Sequence, residues 1–292
     1  MKATVAGAFG LCLFAIPLSK GVALEAEPVP MTASPALTPV VVFGADQRAS
    51  VEDFALKRKL DAAALKRRYA GTGIIRCGNA HGSGQLTVAD DVVTTAAHVL
   101  YDRTGHLRGD SAHCRFEVEA DGEKLSVPLE VDGAIAGSTN PYAESAVHDW
   151  AVVKLARPLP DATPYPLAEP SREEPIRLVA RGSIDWGGGH DMSLQDCHLR
   201  DGLENGSEGT REFSFDCSAN VGASGSGLLD GEGAALVAVF VGYRSVAPDQ
   251  ALPFSPTHYN FAVTVEGAFR RAVERQAALG ATAQMKLPTA GN

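Results

Sequence analysis

The sequence is short of basic charge. Its 26 Lys and Arg stand against 35 Asp and Glu, a formal net charge of −9 over 292 residues. Phosphate backbones are gripped by concentrated Lys and Arg, so this balance speaks against a nucleic-acid partner. Metal-ligating spacing is also missing, because the five Cys and eight His form no CxxC and no His-spaced pair of the kind a structural zinc requires. No repeat is visible at the level of motifs, although a pair of β-barrels need leave none. Long hydrophobic runs are scarce as well. The one present, from about Ala3 to Leu18, is too short to span a bilayer comfortably.

That run follows Lys2 and leads into small residues, which is the layout of a secretory signal peptide cut after Ala23. A retained interfacial anchor is the competing reading. Cys12 lies inside the run and leaves with it, so four cysteines remain: Cys77, Cys114, Cys197 and Cys217. An even set in an exported chain reads as disulfides, with three possible connectivities. Residues 24–40 are rich in Pro and Ala, and residues 24–70 as a whole read as a linker, propeptide or N-terminal arm. Within it, Ser50 and Asp53 form a candidate capping box ahead of strong helix formers, which predicts a helix over 50–70.

From about Thr72 short β-branched runs recur between Gly, Asp and Pro, among them "GIIRC", "DVVTT", "WAVVKL", "EFSFDC" and "ALVAVFVGY". That pattern predicts an all-β sandwich or a pair of barrels over 71–286. The segment 265–280 reads as an amphipathic helix with Phe269, Val273 and Ala277 on one face, and 287–292 as a tail.

Three segments carry chemistry. Acyl transfer at neutral pH needs a serine activated by a base, and a carboxylate that orients the base. The base candidate is His98 in "DVVTTAAHVL", where Ala96 and Ala97 permit a tight turn after a strand. Among the other histidines, His81, His106, His113, His148 and His190 read as surface residues. The carboxylate candidate is Asp149 in "HDWAVVKL", at the entrance of an apolar strand. The nucleophile lies in "NVGASGSGLLD". Ser224 has small residues on both sides and Gly222 two positions earlier, so the N–H groups of Gly222 and Ser224 can converge as an oxyanion hole. Ser226 lacks a glycine two positions ahead, and the spacing favours Ser224.

"TTAAHV", "DWAVVKL" and "GASGSG", in that order, resemble the signature segments of the chymotrypsin/trypsin-like serine proteases, especially the bacterial branch that includes the glutamyl endopeptidases. "VVFGADQR" and "HYNFAV" are similar to flanking pieces of that branch. The resemblance implies two antiparallel six-stranded β-barrels with a C-terminal helix, His98 as general base, Asp149 as its orienter and Ser224 as nucleophile. It also implies disulfides Cys77–Cys114 and Cys197–Cys217. Ser218 falls on the pocket-floor position, and Phe240, Val241, Gly242 and Tyr243 on the pocket wall. Phe240 stands where the glutamyl endopeptidases carry a pocket His, and Ser218 where trypsin carries its acid. A neutral, fairly small pocket is therefore expected. Ala223 stands where the digestive members carry an Asp that pairs with a freshly cut N-terminal amine, so that switch is absent from the pattern.

The expectation is a secreted or periplasmic serine endopeptidase acting on polypeptides through an acyl-enzyme. It would be a monomer, free of the membrane once the signal is removed, and need no metal or cofactor. The alternative is an inactive protease-like binding module. A secreted esterase on another fold fits poorly, since Gly222 to Ser226 misses the last Gly of Gly-x-Ser-x-Gly.

Overall fold

A computed structural model describes residues 40–120, 122–248 and 250–285. The expected signal peptide, residues 24–39 of the expected linker or arm, and the C-terminal tail lie outside the described residues.

The chain opens with β1 (Val40–Val41), then the short helices α1 (Val51–Arg58) and α2 (Ala62–Arg68). The single helix expected over 50–70 is thus two. Ser50 accepts the Asp53 N–H at 3.0 Å and starts α1 as anticipated. Lys59 then turns left-handed (φ 56°) and ends it, and Asp61 restarts the helix by accepting the Ala63 N–H at 2.9 Å. Phe54, Leu65 and Tyr69 are buried, so this arm is packed and not a loose linker.

The first half of the body comprises β2 (Thr72–Cys77), β3 (Ala80–Thr87), β4 (Ala89–Thr95), a one-turn helix α3 (Ala97–Leu100), β5 (Cys114–Ala120), β6 (Glu123–Pro128), β7 (Ile135–Ala136) and β8 (Ala151–Lys154). These strands make a seven-stranded sheet in the order β6-β5-β2-β3-β4-β8-β7. Along β5, Cys114, Phe116, Val118 and Ala120 are buried while the residues between them are half-exposed, the period-2 signature of a sheet with one face inward. The sheet curls until a bridge between Leu129 and Leu155 joins the end of β6 to the end of β8. Glu130 N–H donates to Lys154 O and Ala156 N–H to Pro128 O there, both at 2.9 Å. Because β8 is only four residues long and β6 ends at Pro128, which has no N–H to donate, the seam is a bridge and not a full ladder.

The second half holds β9 (Pro175–Arg181), β10 (Met192–Asn205), β11 (Arg211–Phe215), β12 (Ala219–Asn220), β13 (Gly227–Leu229), β14 (Leu236–Ser245) and β15 (His258–Thr264). Six of them close into a barrel, β10-β11-β15-β14-β13-β9, while β12 leaves it to pair with β1. One closed six-stranded barrel and one curled seven-stranded sheet are the architecture, all-β as expected.

Helix α4 (Gly267–Met285) closes the fold. Phe269 and Val273 are fully buried and Ala277 packs beside them, the face read from the sequence. Both disulfides have the expected pairing, Cys77–Cys114 inside the first sheet and Cys197–Cys217 inside the barrel.

Candidate active site

The register of β4 against β8 brings the first two candidates together. Thr95 lies opposite Ala151, and in an antiparallel pair, moving forward from one strand is moving backward along the other. His98, three residues after Thr95, therefore ends beside Asp149, two before Ala151. The small residues Ala96 and Ala97 let the chain fold from β4 straight into α3, which carries His98. Asp149 is 5% exposed and accepts twice from His98: from its backbone N–H at 2.9 Å and from ring Nδ1 at 2.7 Å. The Trp150 ring stacks on Phe269 at 4.8 Å, so α4 braces the segment that carries the carboxylate. Arg108 donates to the His98 carbonyl at 3.1 Å and to Tyr142 Oη, and the Tyr142 ring lies edge-on to the imidazole with centroids 6.0 Å apart.

Ser224 follows a turn of four residues, Asn220 to Ala223. Ala223 N–H donates to Asn220 O at 2.9 Å and Gly222 has φ 91°, which together describe a type II turn. A side chain at Gly222 would also collide with the Gly182 carbonyl and lie 2.8 Å from His81 Nε2. Downstream, Gly225 N–H donates to Phe240 O at 2.7 Å and Ser226 N–H to Ala223 O at 2.9 Å. By contrast, the N–H groups of Gly222 and Ser224 have no acceptor among the described residues. Ser224 itself is half-exposed, whereas Ser226 is fully buried and its hydroxyl finds no partner among the described residues. The structure thus presents Ser224 and encloses Ser226.

The two halves meet at this loop. Ser83 N–H donates to Ser224 O at 2.7 Å, and its hydroxyl donates to Arg181 O and, at 3.3 Å, to Gly222 O. A Cβ on Gly225 would come within 3.1 Å of Ala96 N, two residues before His98. Ser83 went unnoticed in the sequence, although its flanking glycines were a signal. A Cβ on Gly82 would press on Val99 and lie 2.8 Å from Ser224 O, the kind of close backbone approach that a glycine inside a strand often marks.

His81 is not the surface residue expected. It is half-buried on β3, against Gly222 and hydrogen-bonded to the Gly182 backbone. Burial holds its imidazole below the usual range, and the neighbouring Arg76 and His190 add to that, while the Gly182 bond opposes it.

The residues assigned to a pocket are dispersed. Ser218 is fully buried, its Oγ accepts from Phe43 N–H at 3.2 Å, and its own N–H donates to Gln195 Oε1 at 3.0 Å. Phe240 packs edge-on to Phe215 inside the barrel, whereas Val241 joins the cluster outside it with Phe261 and Val263. Successive residues of a strand face opposite ways, so the side chains of these two lie on opposite faces of β14. Gly242 and Tyr243 remain half-exposed. Among the described residues, no group of three or more His, Cys, Asp or Glu is placed to hold a metal ion.

Residues 71–239 match the family model of the trypsin-like peptidase domain, more than half of the chain. The chain belongs to the trypsin-like peptidase family. This peptidase is accordingly a serine endopeptidase whose substrates are polypeptides. No curated protein matches it by sequence. Among solved structures it is similar to a Glu endopeptidase, at 16% identity and a TM-score of 0.61, over 82% of this chain and 100% of that one. It is also similar to a thermostable serine protease from an extremophilic microorganism, at 16% identity and a TM-score of 0.51, over 73% and 99% of the two chains. At that identity the likeness concerns the fold of this peptidase and not its preference for substrate. Among the described residues, no helix is long and apolar enough to cross a membrane.

Proposed function

We propose that this peptidase cleaves peptide bonds through Ser224, His98 and Asp149. The observation that carries the reading is the double hold of Asp149 on His98. A carboxylate accepting from Nδ1 fixes the tautomer with Nδ1–H, which leaves the lone pair on Nε2. In this reading Ser224 Oγ attacks the scissile carbonyl carbon and gives its proton to His98 Nε2. The carbonyl oxygen becomes an oxyanion that accepts from the free N–H groups of Gly222 and Ser224. As the C–N bond breaks, His98 returns the proton to the departing amine and an acyl ester remains on Ser224. Water, deprotonated by His98, then releases the acid and restores the serine. Asp149 stays ionised and stabilises the imidazolium.

The same reading makes residues 1–23 an export signal and the mature enzyme a secreted or periplasmic monomer with two disulfides. It also gives the enzyme a neutral primary pocket. The floor residue Ser218 is uncharged and its hydroxyl oxygen is engaged by the Phe43 N–H, which supports indifference to Lys, Arg and Glu. A panel of chromogenic peptides cleaved best after Arg or Glu would overturn that.

The test of the catalytic reading is a fluorophosphonate, which needs an activated serine and no particular peptide sequence. Peptide mapping is expected to place the adduct on Ser224, and His98→Ala is expected to abolish it. Folded mature protein that takes no label would favour the binding module instead.

A further inference from the structure

The oxyanion donor at Gly222 is held from outside its own loop. In the type II turn, the central peptide joins Val221 to Gly222, and Val221 O accepts from Ile184 N–H at 3.0 Å. In a trans peptide the C=O and N–H point in opposite directions, so this bond directs the Gly222 N–H away from Ile184. Were the peptide to flip to the type I arrangement, the N–H would turn away from the site and the bond to Ile184 would be lost. The segment that supplies Ile184 is a loop between β9 and β10, and Asp185 is its next residue.

Asp185 is gripped by a residue far away in sequence. Arg48 Nη1 and Nη2 donate to Asp185 Oδ1 and Oδ2 at 3.1 and 2.7 Å, a two-pronged pair. Asp46 steers the guanidinium, accepting from Nε at 3.0 Å and from Nη2 at 2.6 Å. The same guanidinium lies 5.4 Å from the centroid of the Trp186 ring, and only 5% of the Arg48 side chain is exposed. Asp185 also takes a hydrogen bond from the Asn220 side chain, and Asn220 Oδ1 accepts the Val221 N–H at 2.6 Å. Burial pushes the Asp185 carboxyl up, yet the bonds from Arg48 and Asn220 outweigh it and leave the group below its usual range. Further back, β1 pairs with β12, Val40 opposite Asn220 and Val41 opposite Ala219.

We propose that Arg48, in the N-terminal arm, is a positioning residue for the reaction: through Asp185 it locks the loop whose Ile184 N–H orients the Gly222 oxyanion donor. A cation already inside the chain then does what a newly cut amine would otherwise do, with Ala223 in place of a carboxylate. Maturation must consequently leave 40–48 attached. The inference rests on the catalytic reading above and adds to it a residue that touches no substrate.

The test uses full-length mature protein with p-nitrophenyl acetate, whose carbonyl needs the oxyanion donors and little else, alongside the rate of fluorophosphonate labelling. Arg48→Ala is expected to lower kcat and the labelling rate about 10- to 100-fold at unchanged KM, less than outright loss of a donor. Arg48→Lys, which keeps the charge but not the fork, is expected to recover part of the loss. Asp185→Asn should lower kcat in the same way, and Arg48→Ala added to it should cost little more, because both act through one contact. These two milder variants serve if Arg48→Ala fails to fold. Folded variants with unchanged kcat, or with kcat and KM falling together and Lys no better than Ala, overturn the inference. Wild-type protein that takes no label at Ser224 overturns the catalytic reading, whereas labelled wild type with indifferent variants overturns only the role of Arg48.

Discussion

The two halves of the molecule fix their shares of the site by different means. In the curled sheet, His98 and Asp149 inherit their positions from a ladder: β4 and β8 are paired from Val92–Lys154 to Thr95–Ala151, and the two side chains meet just beyond its end. In the barrel half, Gly222 and Ser224 sit on a loop between the two-residue β12 and the three-residue β13. That loop is held by scattered hydrogen bonds from elsewhere, two with Ser83, two with Phe240 and one from Ile184. The first half therefore presents side chains on a rigid frame, and the second presents one hydroxyl and two backbone N–H groups on a frame that neighbours must complete. Side-chain deletion should be the most damaging change in either half, and backbone restriction should be damaging in the second alone.

The largest expected effect tests whether the barrel half contributes any side chain at all. Ser224→Ala should lower kcat about a millionfold, as loss of the nucleophile does where triad and oxyanion hole act together. Ser226→Ala, at a buried hydroxyl without a partner among the described residues, should leave kcat near wild type. Equal losses in both would erase the distinction between the two serines. Next comes Asp149→Asn, which keeps the shape beside His98 but reverses the tautomer it selects. Roughly ten-thousandfold is expected in kcat, read by ester hydrolysis on protein whose unfolding midpoint is unchanged.

Gly222→Ala is the backbone counterpart. It adds one methyl group at φ 91°, against Gly182 O and His81, so the turn must move and carry its N–H with it. Loss of one donor predicts about a 100- to 1,000-fold lower kcat. An active Gly222→Ala enzyme would mean that the barrel half does not work through its backbone.

The same contrast explains what could be read before the fold was known. Local pattern exposed His98, Asp149 and Ser224, because each needs small or apolar neighbours in sequence to make its own turn or strand entrance. The pairings of the cysteines followed from resemblance. The parts that complete the loop are long-range and leave little local trace: Arg48 ended the flanking piece "VVFGADQR" with no role of its own, and His81 read as a surface histidine. The longest strand, β10, also escaped notice, because its outer half, from Arg200 to Asn205, is polar and exposed and has no alternating apolar face. Conversely, a wall read as a run of consecutive residues ignores the alternation of a strand, which sends the Phe240 and Val241 side chains to opposite faces of β14.

Stability should separate the halves more gently. Cys77–Cys114 closes a sequence separation of 37 and Cys197–Cys217 one of 20. Chain entropy makes these worth ~4 and ~3 kcal/mol. Urea unfolding of the two paired Cys→Ala variants should rank them in that order, and the reverse order would show that strain or residual structure outweighs loop length.

The smallest effect concerns His81, where the halves touch. Burial, Arg76 and His190 lower its folded pKa below the ordinary value near 6.5. Between those two values the unfolded chain binds more protons than the folded one, so folding stability rises with pH. The contribution is complete above about 6.5 and is lost as pH falls through the folded value. Replacing His81 with Gln removes the titration while keeping an amide able to donate to Gly182. Thermal midpoints measured from pH 8 down to pH 5 should therefore fall further for wild type than for His81→Gln, with the gap opening below pH 6.5. A gap that stays constant across that range would mean that His81 remains charged or solvated against Gly222. The interface between the halves would then be wetter than its packing implies.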